Sequence, residues 1–205
     1  MNASRVMIID TGSANLNSVL QAFKRLDVNV TVSSDLAQLR SADHLIFPGV
    51  GAAQDVMQGI DERHLRDFIL ENRQPLLGIC LGMQVLGSSS EEVRLASNAQ
   101  NVTTLGLIEE RVLKLQAHGL RLPHMGWNTV HHDDHPLFAG IRDEAYFYFD
   151  HSYAMKCGPY TIGTTVYGEA FASAVCRDNF LGVQFHPEKS GVVGAKLLQN
   201  FLNNF

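Results

Sequence analysis

Short apolar runs alternate with amphipathic stretches through the first 87 residues, and that alternation sets the expected fold. Val6 to Ile9 is a short apolar strand closed by Asp10, Thr11 and Gly12. A helix is predicted from about Asn15, with Leu16, Val19, Leu20, Phe23 and Leu26 at helical spacing on one face. Val28 to Val32 alternates as a second strand, and Ser33, Ser34 and Asp35 offer N-cap chemistry for a short helix. His44 to Phe47 makes a third strand that ends in Pro48-Gly49-Val50-Gly51. Asp61 to Asn72 is an amphipathic helix that turns Leu65, Phe68 and Ile69 inward. Pro75 with the apolar run Leu76, Leu77 and Ile79 then has the length of a buried strand in a parallel sheet. The alternation predicts an α/β chain with an open, mainly parallel sheet and helices on both faces. Ligands bind such sheets outside the carboxyl ends of the strands, where both Pro48–Gly51 and Cys80 fall.

Beyond Gly87 the pattern changes. Ser88 to Gln100 is polar and loop-like, and Leu107 to Leu115 and Ala145 to Phe185 hold further strands. Val192 to Phe205 closes as a helix with Val193, Leu197, Leu198, Phe201 and Leu202 on one face. No linker or internal repeat divides the 205 residues, so residues 1–205 are expected to form a single domain. The net charge of −5 argues against a nucleic-acid partner. No apolar run approaches the roughly 20 residues that span a bilayer, and no membrane association is expected. The N-terminus enters a strand directly, without a signal-peptide cleavage region. Cys80, Cys157 and Cys176 form no Cys-x-x-Cys pair, which suits a reducing cytoplasm; the latter two are expected as buried strand residues.

The run Gly78-Ile79-Cys80-Leu81-Gly82 lies where strand passes into helix, the position of a nucleophile elbow. Flanking glycines would let strand and helix approach closely, and N–H groups of a helix over Leu81 to Leu86 would favour thiolate over thiol. On these five residues alone, a nucleophile and a buried structural cysteine both remain open. A nucleophilic cysteine needs a base and a group to orient it. Among nine histidines, the cluster His131-His132-Asp133-Asp134-His135 looks metal-like, but it has no second site at ligand spacing and reads as a solvated loop. His44 and His64 sit at element edges and need no special role. His186 follows the apolar strand Phe180 to Phe185, and Pro187 drives it toward extended geometry. With a side-chain period near two, Glu188 can then share its side and accept from one imidazole nitrogen while the other faces the thiol. The order Cys80, His186, Glu188 differs from the nucleophile, acid, histidine order of serine α/β-hydrolases. The local signatures of papain-like proteases and caspases are absent.

Gly78-Ile79-Cys80-Leu81-Gly82-Met83-Gln84 together with Gln184-Phe185-His186-Pro187-Glu188 resembles the class I glutamine amidotransferase family. Several further segments narrow the resemblance to one branch. These are Gly12 to Val19, Pro48 to Gly51, Pro123-His124-Met125-Gly126-Trp127-Asn128, Tyr148 to Tyr153, and Lys189-Ser190. In that branch the glutaminase is paired with a (β/α)8-barrel cyclase subunit in histidine biosynthesis. Thr11 stands where tyrosine is commoner, and Asp150 where an apolar residue is expected.

The resemblance implies hydrolysis of L-glutamine through a γ-glutamyl thioester on Cys80, with His186 as acid and base and Glu188 orienting it. By the logic of the elbow, the N–H of Leu81 is one oxyanion donor, and Val50 or Gly51 should supply the other. Gln84 resembles the glutamine-contacting residue of the family, the main chain of His151, Ser152 and Tyr153 the segment that holds the α-carboxylate, and Glu92 is a candidate for the ammonium. Asn15, Met125, Trp127 and Lys189 are the candidate interface with the cyclase, which would receive the ammonia and complete the oxyanion hole on binding. No cofactor or metal is implied. Other readings are a glutaminase serving anthranilate, purine or pyridoxal phosphate synthesis, a partner-independent γ-glutamyl hydrolase, and a non-enzymatic flavodoxin-like module with Cys80 as a sensor.

Overall fold

The apolar runs of the first half form a parallel sheet in the computed structural model, which describes residues 4–12 and 16–205. Strands β1 (Val6–Ile9), β2 (Val30–Ser33), β3 (His44–Gly49) and β4 (Leu76–Cys80) lie in the order β2-β1-β3-β4. Alternation along β3 shows how both faces are covered: Ile46 joins one apolar cluster, and Leu45 and Phe47 join the other. Helix α1 (Leu16–Arg25) buries Val19, Ala22 and Phe23 in the first cluster, where Leu197, Leu198 and Phe201 of the C-terminal helix also pack. On the opposite face α2 (Leu36–Arg40), α3 (Ala53–Glu62) and α4 (Arg66–Glu71) bury Leu39, Val56, Met57, Ile60, Phe68 and Ile69. Asp35 caps α2 as expected, its Oδ1 accepting from the Gln38 N–H at 2.8 Å.

After the single-turn helix α5 (Leu81–Gln84), short strands β5 (Ser89–Ser90), β6 (Val102–Thr103) and β7 (Arg111–Lys114) lead to the longer β8 (His124–His132) and β9 (Ala145–His151). Then come β10 (Tyr153–Met155), β11 (Thr161–Tyr167), β12 (Glu169–Arg177), β13 (Phe180–Val183) and helix α6 (Gly191–Asn204). β13 joins β4 in parallel with Val183 opposite Ile79, so the chain leaving β13 emerges beside Cys80. From β12 the sheet continues through antiparallel pairs to β10 and β7, while β8 and β9 form a separate antiparallel ribbon attached through β11.

Four expectations change. The helix expected over Asp61 to Asn72 is two: Asp61 ends α3, the chain turns at His64 with φ of 55°, and α4 starts at Arg66. The third strand runs through Pro48 to Gly49; β1 pairs only as far as Ile46, so the missing proline N–H breaks no ladder there. His131 and His132 end strand β8 rather than a loop. Cys157 is exposed and Cys176 only partly buried, so neither is a core residue.

Candidate active site

Cys80 ends β4 in a conformation that side chains rarely adopt, with φ of 55° and ψ of −113°. The glycines around it explain how the turn fits. A Cβ on Gly82 would lie 1.7 Å from the Phe47 carbonyl oxygen, and one on Gly78 would lie 2.8 Å from the Gly82 carbonyl. That close approach sets the end of β3 against the start of α5. Gly49 lies opposite Cys80 in register, and Val50, Gly51 and Leu81 line one cavity with the sulfur. The helix after Cys80 is a single turn and stops at Gln84, short of the expected Leu86, so little macrodipole accumulates at the sulfur. The charge partner is a side chain.

That partner is His186. It is extended (φ −101°, ψ 94°), and Pro187–Lys189 form a 3₁₀ turn directly after it. The turn, rather than strand alternation, brings Glu188 back, so that Oε1 lies 2.7 Å from His186 Nδ1. The backbone is pinned on both sides: the His186 N–H donates to the Tyr148 carbonyl at 2.8 Å, and Ser190 Oγ donates to the His186 carbonyl at 2.6 Å. Burial is the largest influence on the imidazole and pushes it down, but hydrogen bonds and charge from Cys80 and Glu188 raise it overall to about 10. An imidazolium is thus held against the sulfur, the arrangement that favours a reactive thiolate.

The cavity above the sulfur measures about 340 Å³. Its walls bring together Val50, Gly51, Cys80, Leu81, Gln84, Glu92, His151, Ser152, His186 and Lys189 from the residues singled out in the sequence. Tyr153 stands behind the wall, reached through its main chain: its carbonyl accepts from Gln84 Nε2 at 2.8 Å and from His151 Nδ1 at 2.9 Å. Gln84 is buried rather than an ordinary exposed helix residue, and its Oε1 has no partner among the described residues. Asp150 also lines the cavity, and its carbonyl lies 3.9 Å from the Cys80 sulfur. Thr11 is buried.

Glu92 faces the same cavity, and burial pushes its carboxyl up to about 7 from an ordinary 4.5. The folded chain therefore binds more protons than the unfolded chain between pH 4.5 and 7, and Glu92 lowers stability as pH rises through that window. A Glu92→Gln variant should melt with wild type below pH 4.5 and above it at pH 8, as thermal unfolding across pH will measure. Coincident curves throughout would remove the burial argument.

Sequence reasoning missed a set of polar residues behind the substrate-facing wall. Alternation along β8 sends His124 and Asn128 inward and Met125 and Trp127 outward. His124 Nδ1 lies 3.0 Å from His151 Nε2, and Asn128 Nδ2 lies 3.2 Å from His124 Nε2. The directions are fixed. The Tyr153 carbonyl can only accept, so His151 carries its proton on Nδ1, and His124 must donate from Nδ1 and accept from Asn128. Burial pushes His124 down to about 4 and His151 down to about 3. The alternation around Pro123-His124-Met125-Gly126-Trp127-Asn128 was the available signal.

On the outward face, Met125 is 62% and Trp127 55% exposed. Trp127 meets the ring of Tyr148 edge-on at 6.1 Å, and Lys189 Nζ lies 5.6 Å over that same ring. These candidate interface residues adjoin the cavity through Lys189, while Asn15 lies outside the described residues. His131 bonds Asp143 at 2.7 Å and His132 stacks on Phe138 at 4.3 Å. No group of three His, Cys, Asp or Glu among the described residues could hold a metal ion.

A strained cysteine at a strand end, beside a histidine fastened by a glutamate, has the layout of a cysteine nucleophile with its base and the group that orients it. The chain belongs to the class I glutamine amidotransferases, whose family model matches residues 7–205. Among curated proteins it is similar to imidazole glycerol phosphate synthase subunit HisH of Escherichia coli K12, at 54% identity over 198 residues, covering 96% of this chain and 98% of that protein. The subunit of the same name from Shewanella loihica is 45% identical over 205 residues, covering 98% and 92%. A solved structure of a glutamine amidotransferase shares the fold with a TM-score of 0.71 at 18% identity, covering 96% of each chain.

Proposed function

We propose that residues 1–205 act as one glutaminase domain, the subunit of an imidazole glycerol phosphate synthase that releases ammonia from L-glutamine for histidine biosynthesis. What carries the proposal is the raised imidazole of His186, held between Cys80 and Glu188 at the floor of the cavity. The Cys80 sulfur attacks the carboxamide carbon of glutamine, and His186 gives its proton to the leaving ammonia. Water then yields a proton to His186 and attacks the γ-glutamyl thioester, so that glutamate leaves and the thiolate returns. The N–H of Leu81 and an N–H from Val50 or Gly51 stabilise the oxyanion of both steps. Gln84 through its unpaired Oε1, Glu92, and the main chain of His151, Ser152 and Tyr153 hold the amino-acid end of the substrate.

Ammonia passes to a (β/α)8-barrel cyclase subunit docked on the face of Met125, Trp127 and Lys189, with Asn15 also at that interface. Exposed aromatic and methionine side chains with an adjacent cation suit a contact anchor. Gly49 and Gly51, the latter at φ of 89°, leave the Val50 peptide free to reorient, and docking completes the oxyanion hole. The pair works in the cytoplasm, in keeping with three free thiols.

The test is glutamate release from L-glutamine by the chain alone, with the cyclase subunit and its nucleotide ligand, and by Cys80→Ala. Turnover that rises with the partner and vanishes in Cys80→Ala is expected. Strong, partner-independent turnover would instead indicate a free-standing γ-glutamyl hydrolase, and the docking model would fall.

A further inference from the structure

Gln184 is fully buried at 0% exposure, one residue past β13 and two before His186. Its backbone N–H donates to the Ser173 carbonyl at 2.9 Å, which sets the residue on the sheet beside β4. Its carboxamide nitrogen lies 3.7 Å from the Cys80 sulfur. Its carbonyl Oε1 accepts from Gln84 Nε2 at 3.0 Å, and that same Gln84 nitrogen donates to the Tyr153 carbonyl at 2.8 Å.

The polarity of this relay is decided at its far end. A backbone carbonyl only accepts, so Gln84 must turn its NH2 group toward Tyr153. The second N–H of that group then meets an oxygen, which forces the Gln184 oxygen toward Gln84 and the Gln184 N–H toward the sulfur. An amide flipped the other way would set two NH2 groups face to face in a buried site and an oxygen against the sulfur. The Asp150 carbonyl also faces the sulfur, at 3.9 Å, and as an acceptor it favours the protonated thiol. The charged and titratable groups around Cys80 are His186 with Glu188 behind it, and Glu92, Asp150, His151 and Lys189 in the cavity. Among these contacts Gln184 supplies a neutral N–H donor that does not titrate.

We propose that Gln184 is a positioning residue for the nucleophile: its locked carboxamide N–H holds the Cys80 sulfur in place and stabilises it as a thiolate. The inference rests on Cys80 being the nucleophile of the proposed glutaminase. It adds a donor to the sulfur that is present whichever protonation state His186 is in. A hydrogen bond to a charged acceptor is among the stronger ones, and its loss should slow thiolate formation measurably.

The experiment is the pH dependence of Cys80 alkylation by iodoacetamide, resolved by peptide mass spectrometry so that Cys157 and Cys176 do not interfere. Gln184→Met keeps length and burial and removes the donor. Its alkylation midpoint should move to higher pH, with the rate below the wild-type midpoint down about tenfold. Gln84→Leu unlocks the relay without touching the sulfur and should shift the midpoint the same way by less, which keeps the test open if Gln184→Met does not fold. Unchanged midpoints in the variants that fold overturn the proposal. Because alkylation needs no glutamine turnover, a shifted midpoint in a chain without glutaminase activity would sustain the role of Gln184 and reject the proposed reaction instead.

Discussion

A His186→Ala enzyme saturated with glutamine turns over about 10⁴-fold more slowly than wild type, or worse. One ring serves three purposes here. In the proposed reaction it holds the thiolate before attack, protonates the leaving ammonia and deprotonates the water that opens the thioester. The raised value of about 10 shows how firmly Cys80 and Glu188 keep its proton. The variant therefore loses the acid and the base together, and the sulfur loses its charged partner. Glu188→Gln keeps the ring near its place and should lie between the two. The double variant Cys80→Ala/His186→Ala should be no slower than Cys80→Ala alone, because residues acting as one unit do not add. Steady-state and single-turnover glutamate release would measure all four; near wild-type turnover in His186→Ala would remove that ring from the chemistry.

The second large effect is on the scaffold. Gly82→Ala should cost about 3 kcal/mol or more of stability and most of the glutaminase activity at once. The added Cβ would sit 1.7 Å from the Phe47 carbonyl oxygen, a backbone atom of a central strand that cannot rotate away. Relief requires α5 to move off β3, which separates Leu81 from Val50 and Gly51 and disturbs Cys80. Gly163→Ala is the comparison: its Cβ would meet Ala174 Cβ at 3.2 Å and Val130 Cγ1 at 3.3 Å, contacts that a shift of a few tenths of an ångström relieves. Urea midpoints at unchanged m-value should rank the two far apart. Equal midpoints would mean that the elbow tolerates a methyl group and that its glycines are incidental.

Much of this architecture was legible because it depends on local patterns. The apolar runs at Val6, His44 and Leu76 are too short for helices and are spaced by amphipathic stretches, so a parallel sheet follows from their order. Cys80 between two glycines, and His186 before Pro187, place the triad at strand ends. The break at His64 was not legible, because a positive φ at a non-glycine residue leaves no mark on hydrophobic spacing. Helix α3 did carry a signal, with Ala53, Val56, Met57 and Ile60 on one face, but it begins against the glycine turn that ends β3. Glu188 reaches His186 through a 3₁₀ turn that strand alternation imitates, so the contact was foreseen for the wrong reason. The relay through Gln84 and Gln184 joins residues 100 apart in the chain, and such pairing only exists once β4 and β13 are neighbours.

The cavity presents two imidazoles to the substrate, His151 and His186, yet only one of them can exchange protons with it. The lone pair on His151 Nε2 is already filled by the His124 N–H, and its own Nδ1 proton is committed to the Tyr153 carbonyl. Protonating it would break a one-way chain running back to Asn128 on β8, which agrees with its fall to about 3. Of the two rings, His186 alone is left to carry protons in the proposed turnover, and His151 cannot recapture ammonia as ammonium. A ring locked in this way keeps one charge state while the ring beside it changes its own.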